Sequence, residues 1–153
     1  MDANEAIRRF RQRDDGYTWE GVDRLAYKQE SAAPFRGITR QTLFQRSDLA
    51  GELRYFEIAP RGHSTLERHE HTHAVLILRG EGRCLVGDAV HAIRAHDLVT
   101  VPPQTWHQFR AGEEPLGFLC MVDALRDRPE LPDDAALAEL HAQPPVAAFL
   151  AEE

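Results

Sequence analysis

Between residues 37 and 124 the chain is a succession of short apolar or β-branched runs: "GITRQTLF", "ELRYFEIA", "AVLILR", "RCLVG", "AVHAIR", "DLVTVP", "WHQF" and "LGFLCMVDA". Turn residues cut them apart, at Pro60-Arg61-Gly62, Gly80-Glu81-Gly82 and Gly87-Asp88 among others. No long helical pattern interrupts the series, which disfavours a parallel α/β sheet and predicts an all-β sandwich or barrel. The 153 residues suffice for one sizeable core, so the chain reads as a single domain with its barrel over 37–124. Residues 1–25 form an N-terminal extension. A short basic helix is predicted over 2–13, where Arg8, Arg9, Arg11 and Arg13 surround Ile7 and Phe10. After Arg126 the composition changes. "RDRPELPDD" is a polar link, "DDAALAELHAQ" predicts a capped helix and "PPVAAFLAEE" a second short one, so 127–153 reads as a helical tail. Such a tail packs on the outside of the barrel or on a second subunit.

A net charge of -7 and a pI near 5.6 argue against a nucleic acid partner. "MDANEAIRRFRQRDDG" lacks the apolar centre of a signal peptide, and the longest apolar stretch elsewhere is too short to cross a bilayer. A cytoplasmic location and no membrane partner are the expectation. Cys84 and Cys120 are the two cysteines, and in a reducing compartment both read as free thiols.

The stretch "LERHEHTHAVLILRGEG", 66–82, carries the chemistry. In a strand successive side chains alternate faces, so Glu67, His69, His71 and His73 would share one side. A polar row inside a small barrel needs partners, because a buried polar group left unpaired costs about 1–3 kcal/mol. A metal ion is the economical partner: imidazole and carboxylate suit Mn, Fe, Co, Ni or Zn, and no thiolate cluster marks a structural zinc. On a straight strand Glu67 and His73 would lie roughly 20 Å apart, too far to share one ion. Either the chain bends after His71, or one i, i+2 pair binds and other ligands come from elsewhere. His107 in "VPPQTWHQF" is the obvious distant contributor. A solvent-exposed histidine-rich strand is the bland alternative.

These two stretches resemble the two motifs of the cupins, G-x5-H-x-H-x3-4-E-x6-G and G-x5-P-x-G-x2-H, over residues 62–109. The resemblance implies a double-stranded β-helix barrel (jelly roll) with one divalent metal ion per chain in its mouth. Aligned on Gly80, the first motif places its glutamate position on His73, its second histidine on His69 and its first histidine on Glu67. The implied ligands are Glu67, His69 and His73, completed by His107. His71 is left open as a ligand, a donor behind the ligands or a substrate-binding contact. Gln104 stands where the second motif has glycine, and that motif's leading glycine is absent.

The strings "ELRYFEIAP", "STLERHEHTHAVLILRGEG", "LVTVPPQTWHQF" and "PLGFLCMVDALRDRPELP" are similar to a narrower cupin group, the manganese-dependent methylsulfurylases of a methionine-salvage branch. That resemblance implies removal of the methylthio group of 1-methylthioxylulose 5-phosphate, with glutathione, to give 1-deoxyxylulose 5-phosphate. It also implies a catalytic thiol, for which Cys120 is the first candidate and Cys84 the reserve. A homodimer is expected as well, since cupin barrels often pair. A phosphorylated sugar needs cationic donors, and Arg40 and Arg54 lie within strand-like runs where an arginine must reach solvent or meet an anion. Trp106 should point away from the metal as an anchor, and Glu57 would act as acid or base only if it faced the cavity. Two other readings stay open: an iron cupin dioxygenase acting on a small oxygenated substrate, and a non-catalytic cupin that binds a small ligand.

Overall fold

A computed structural model of the chain describes residues 6–13, 16–27 and 34–152. Nine of its strands form one curled antiparallel sheet: β3 (Leu25–Ala26), β4 (Arg36–Gln45), β5 (Gly51–His63), β6 (His73–Arg79), β7 (Glu81–Val86), β8 (Ala89–Arg94), β9 (Leu98–Val101), β10 (His107–Ala111) and β11 (Leu116–Asp123). β5 is the hinge of the architecture. Its first part, Gly51–Ile58, lies between β4 and β11, and its end, His63, pairs with Arg36 of β4 and Arg110 of β10. The strand can change partners because Arg61 takes a φ of 59° and Gly62 follows it, where a Cβ would strike the Arg36 carbonyl. From there the sheet order runs β8-β7-β10-β5-β11-β6-β9, so the chain curls around one interior.

Strand alternation sorts the side chains. Ile38, Phe56, Ile58, Val75, Ile77, Phe109, Phe118 and Val122 fill the interior, with Phe118 stacked between Phe56 and Phe109 at centroid distances of 5.6 and 5.2 Å. The opposite face of β4 and β5 presents Leu43 and Tyr55, which Tyr17, Trp19 and Val22 cover. Glu57 lies on this outer face. It accepts from the Tyr55 hydroxyl at 2.9 Å and pairs with Arg79 at 2.5 Å, so it does not serve the cavity.

The tail folds as two helices, α1 (Asp134–His141) and α2 (Pro144–Leu150). Asp133 caps α1 by accepting from the Ala136 N–H at 2.8 Å. Leu140, Val146 and Phe149 pack with Leu85, Leu66 and Trp106 on the outside of the barrel. Trp106 thus points away from the interior as expected, with the Arg68 guanidinium 4.6 Å from its ring centroid. The N-terminal helix is a correction. Residues 1–5 lie outside the described part, and 6–13 contain no helix but end in β1 (Gln12–Arg13), paired with β2 (Thr18–Trp19). A helix this short is marginal in water, and tertiary contacts decide instead: Phe10 meets Trp19 at 5.9 Å, and Arg8 donates to the Leu43 carbonyl at 3.3 Å. No helix among the described residues is long and apolar enough to cross a membrane.

Candidate metal and thiol site

The histidine stretch is not a straight strand. Glu67 exchanges backbone hydrogen bonds with His107, and Arg68 with Glu130. The chain then bends at Glu70–His71, and β6 begins at His73. Asp127 holds the bend: its carboxylate accepts from the Glu70 N–H at 2.9 Å and from His71 Nδ1 at 2.7 Å. The row becomes an arc, which is how residues up to six positions apart in sequence reach one cavity. Gln104 ties the arc to the second motif through its N–H, which donates to the His69 carbonyl at 2.7 Å. Its φ of 53° lies in the left-handed region that glycine adopts without strain, which agrees with the glycine of the second motif.

The side chains converge accordingly. His69, His73 and His107 each offer a ligand atom, all within 4.8 Å of one another. Nδ1–H of His69 donates to the His71 carbonyl at 2.7 Å and Nδ1–H of His107 to the Thr105 carbonyl at 2.9 Å, which turns both Nε2 atoms to the group. Nε2 of His69 and of His73 is buried with no hydrogen-bond partner. Buried orphan acceptors aimed at a common point are the donor set a divalent ion requires, so these residues fit one. Burial, reinforced by the neighbouring imidazoles, lowers His69 to about 4 and His73 to about 2, so both are neutral at pH 7 and ready to bind.

Around this group lies a cavity of about 190 Å³. Glu67 lines it, accepting from the Tyr27 hydroxyl at 3.4 Å, and burial beside that carboxylate pushes the Tyr27 pKa well up. His71 lines it too, its ring stacked 3.6 Å from that of His69. Cys120 answers the question of strand phase. In register it faces Arg54 on one side and Val75 on the other, and it lines the cavity at 2% exposure. Arg54 Nη2 lies 3.8 Å from its sulfur; burial pushes this thiol up, and the guanidinium pulls it back. Cys84 packs in the core outside the cavity lining, where burial raises it to about 12. Both cysteines are free thiols.

Arg40 and Arg54 line the cavity as well. Reading by sequence alone missed Tyr27, Arg126 and Asp127 on its wall, and Glu52 behind it, which pairs with Arg54 at 3.6 Å and Arg126 at 2.6 Å. Arg126 and Asp127 stand in what read as a polar link, and no local pattern distinguishes a linker charge from one folded back over a barrel mouth.

A curled antiparallel barrel whose mouth gathers three imidazoles is the arrangement of a cupin, and the chain belongs to the cupin superfamily: the Cupin domain family matches residues 54–122. Among individual proteins, it is 59% identical over 150 residues to 1-methylthio-D-xylulose 5-phosphate methylsulfurylase of Rhodospirillum rubrum, covering 97% of this chain and 96% of that one. The crystal structure of a cupin-2 domain protein of Rhodospirillum rubrum superposes with a TM-score of 0.85 at 59% identity, over 94% of this chain and 97% of that one. A cupin 2 conserved barrel domain protein of Rhodopseudomonas palustris superposes with a TM-score of 0.81 at 53% identity, over 86% and 91%.

Proposed function

We propose that the chain is a metal-dependent methylsulfurylase of methionine salvage, which transfers the methylthio group of 1-methylthioxylulose 5-phosphate to glutathione and leaves 1-deoxyxylulose 5-phosphate. The carrying observation is that one cavity combines convergent imidazoles, a buried thiol and arginines, in a chain 59% identical to a relative of that name. His69, His73 and His107 hold the divalent ion, with Glu67 as fourth ligand and manganese as the favoured metal. Bound there, the ion would supply Lewis acidity to the substrate's carbonyl group.

Cys120 is the nucleophile and Arg54 stabilises its thiolate. The thiolate attacks the methylthio sulfur. A sulfur–sulfur bond forms while the C1–sulfur bond breaks, and the released pair passes onto the C2 oxygen as an enolate. The carbon chain gains two electrons and the two sulfurs become a methyl mixed disulfide. Protonation at C1 completes the deoxy sugar. Glutathione thiolate then attacks the methylthio sulfur of that disulfide, freeing Cys120 and leaving as methyl-glutathione disulfide. The sum consumes one thiol, whose proton ends on C1. Arg40 and Arg54 take the phosphate, and His71, steadied by Asp127, contacts the sugar.

A homodimer goes with this reading, supported by exposed Leu76, Leu98 and Met121 on the adjacent strands β6, β9 and β11. A reduced thiol in turn suits the cytoplasm. Manganese-loaded protein given the methylthio sugar phosphate and glutathione should form 1-deoxyxylulose 5-phosphate. Cys120→Ala should lose turnover by about a thousandfold or more while keeping its metal, and Cys84→Ala should retain turnover. Full activity in Cys120→Ala would remove the thiol step. Absence of product from the unaltered protein at one bound metal per chain would remove the reaction.

A further inference from the structure

We propose that Arg126, with Glu52 as its resident counter-ion, completes a three-arginine clamp for the substrate's phosphate and so determines that the sugar must be phosphorylated. The identity of the anion rests on the reading above; the clamp itself rests on charge and bonding. Arg40, Arg54 and Arg126 line one cavity, and Glu52 is the carboxylate paired with two of them, at 3.6 Å to Arg54 and 2.6 Å to Arg126. Three guanidiniums meet one carboxylate at this end of the cavity, and the two carboxylates that line it elsewhere are held by other groups, Glu67 by the Tyr27 hydroxyl and Asp127 by Glu70 and His71. Arg54 is buried, Arg40 is half-buried and Arg126 reaches solvent, and guanidiniums gathered in excess over carboxylates repel one another, which an anion bound among them relieves. The bonding agrees. Nε of Arg40 is buried with no hydrogen-bond partner, and Nε of Arg54 has none within hydrogen-bond distance, only the Glu52 carboxylate at 3.6 Å. Arg126 directs a single nitrogen, Nη1, to both Glu52 and the Asp123 carbonyl, at 2.6 and 2.8 Å, which keeps the rest of its fork for a ligand. Burial lowers the Arg40 pKa, and Arg54 and Arg126 lower it further, so these cations act on one another. The next residue, Asp127, is bonded to Glu70 and His71. The segment after β11 therefore runs from the cationic end of the cavity to the histidine end and fixes the distance between them.

The probe is inorganic phosphate. The metal-loaded protein should melt at higher temperature as phosphate is added, with an apparent affinity that drops on the order of ten- to a hundredfold in Arg126→Ala and partly recovers in Arg126→Lys. If Arg126→Ala loses its cooperative melt, Arg126→Gln, which keeps a donor for Glu52, carries the same expectation as Arg126→Ala. Equal stabilisation of variant and unaltered protein, or none in either, overturns the clamp whether or not the methylthio sugar phosphate is turned over. Where turnover is measured, the same variants should raise KM by a similar factor with little change in kcat, and an unchanged KM also overturns it. A phosphate response that depends on Arg126 in a protein with no methylsulfurylase turnover would sustain the clamp and remove only the proposed reaction.

Discussion

A buried imidazole whose Nε2 has no hydrogen-bond partner is a poor place for a proton, and His69 and His73 are both of this kind. Their ordinary value of 6.5 falls to about 4 and about 2, with burial as the first cause and the other imidazoles as the second. Between pH 6.5 and about 4 the unfolded chain therefore binds a proton on His69 that the folded chain refuses. Stability of the metal-free protein must fall as the pH drops through that window, and His73 extends the fall below it. Melting temperatures of metal-stripped protein from pH 7 to 4 should show this decline, with a shallower slope in His69→Gln; parallel slopes would refute the account. The even spacing of Glu67, His69, His71 and His73 was legible in the sequence. The division of labour among them was not, because Asp127, 56 positions from His71, takes Nδ1 of that ring.

Turns carry much of the architecture at the level of elements. β6 turns into β7 through Gly80 alone, at a φ of 75° and with the Pro115 carbonyl where a Cβ would stand. Gly80→Ala is strained by both its backbone and its neighbour, and should cost about 1–3 kcal/mol, read as a lower melting temperature. A variant that melted like the parent would show that the β10–β11 turn yields freely. Strand runs and their turn punctuation were readable along the chain because each depends on local alternation. The bend at Glu70–His71 was foreseen only as one of two options, since its cause is a carboxylate from beyond β11. The basic N-terminal stretch failed as a helix for a related reason. Its composition allowed a helix, while the contacts of Phe10 and Arg8 with distant residues called for an extended chain.

Over the whole molecule, the C-terminal helices seal one side of the barrel while the site lies elsewhere. Phe149 is fully buried among Leu85, Leu140 and Val146, and the Arg110 guanidinium lies 5.1 Å from its ring centroid. Phe149→Ala should cost about 3–5 kcal/mol in denaturant unfolding and leave one metal per chain in the protein that remains folded. Loss of metal in the folded fraction would mean that the tail shapes the site. By itself the sequence determined the all-β class, the capped helix after Asp133 and the even spacing of the imidazole-rich stretch, since each follows from periodicity or capping within a few residues. Tertiary structure alone decided that Cys120 rather than Cys84 meets the cavity, that Glu57 faces outward, and that Tyr27, Glu52, Arg126 and Asp127 come to the site or its edge. Those outcomes depend on the register of paired strands and on where a distant segment returns, and neither is encoded in the spacing of neighbouring residues.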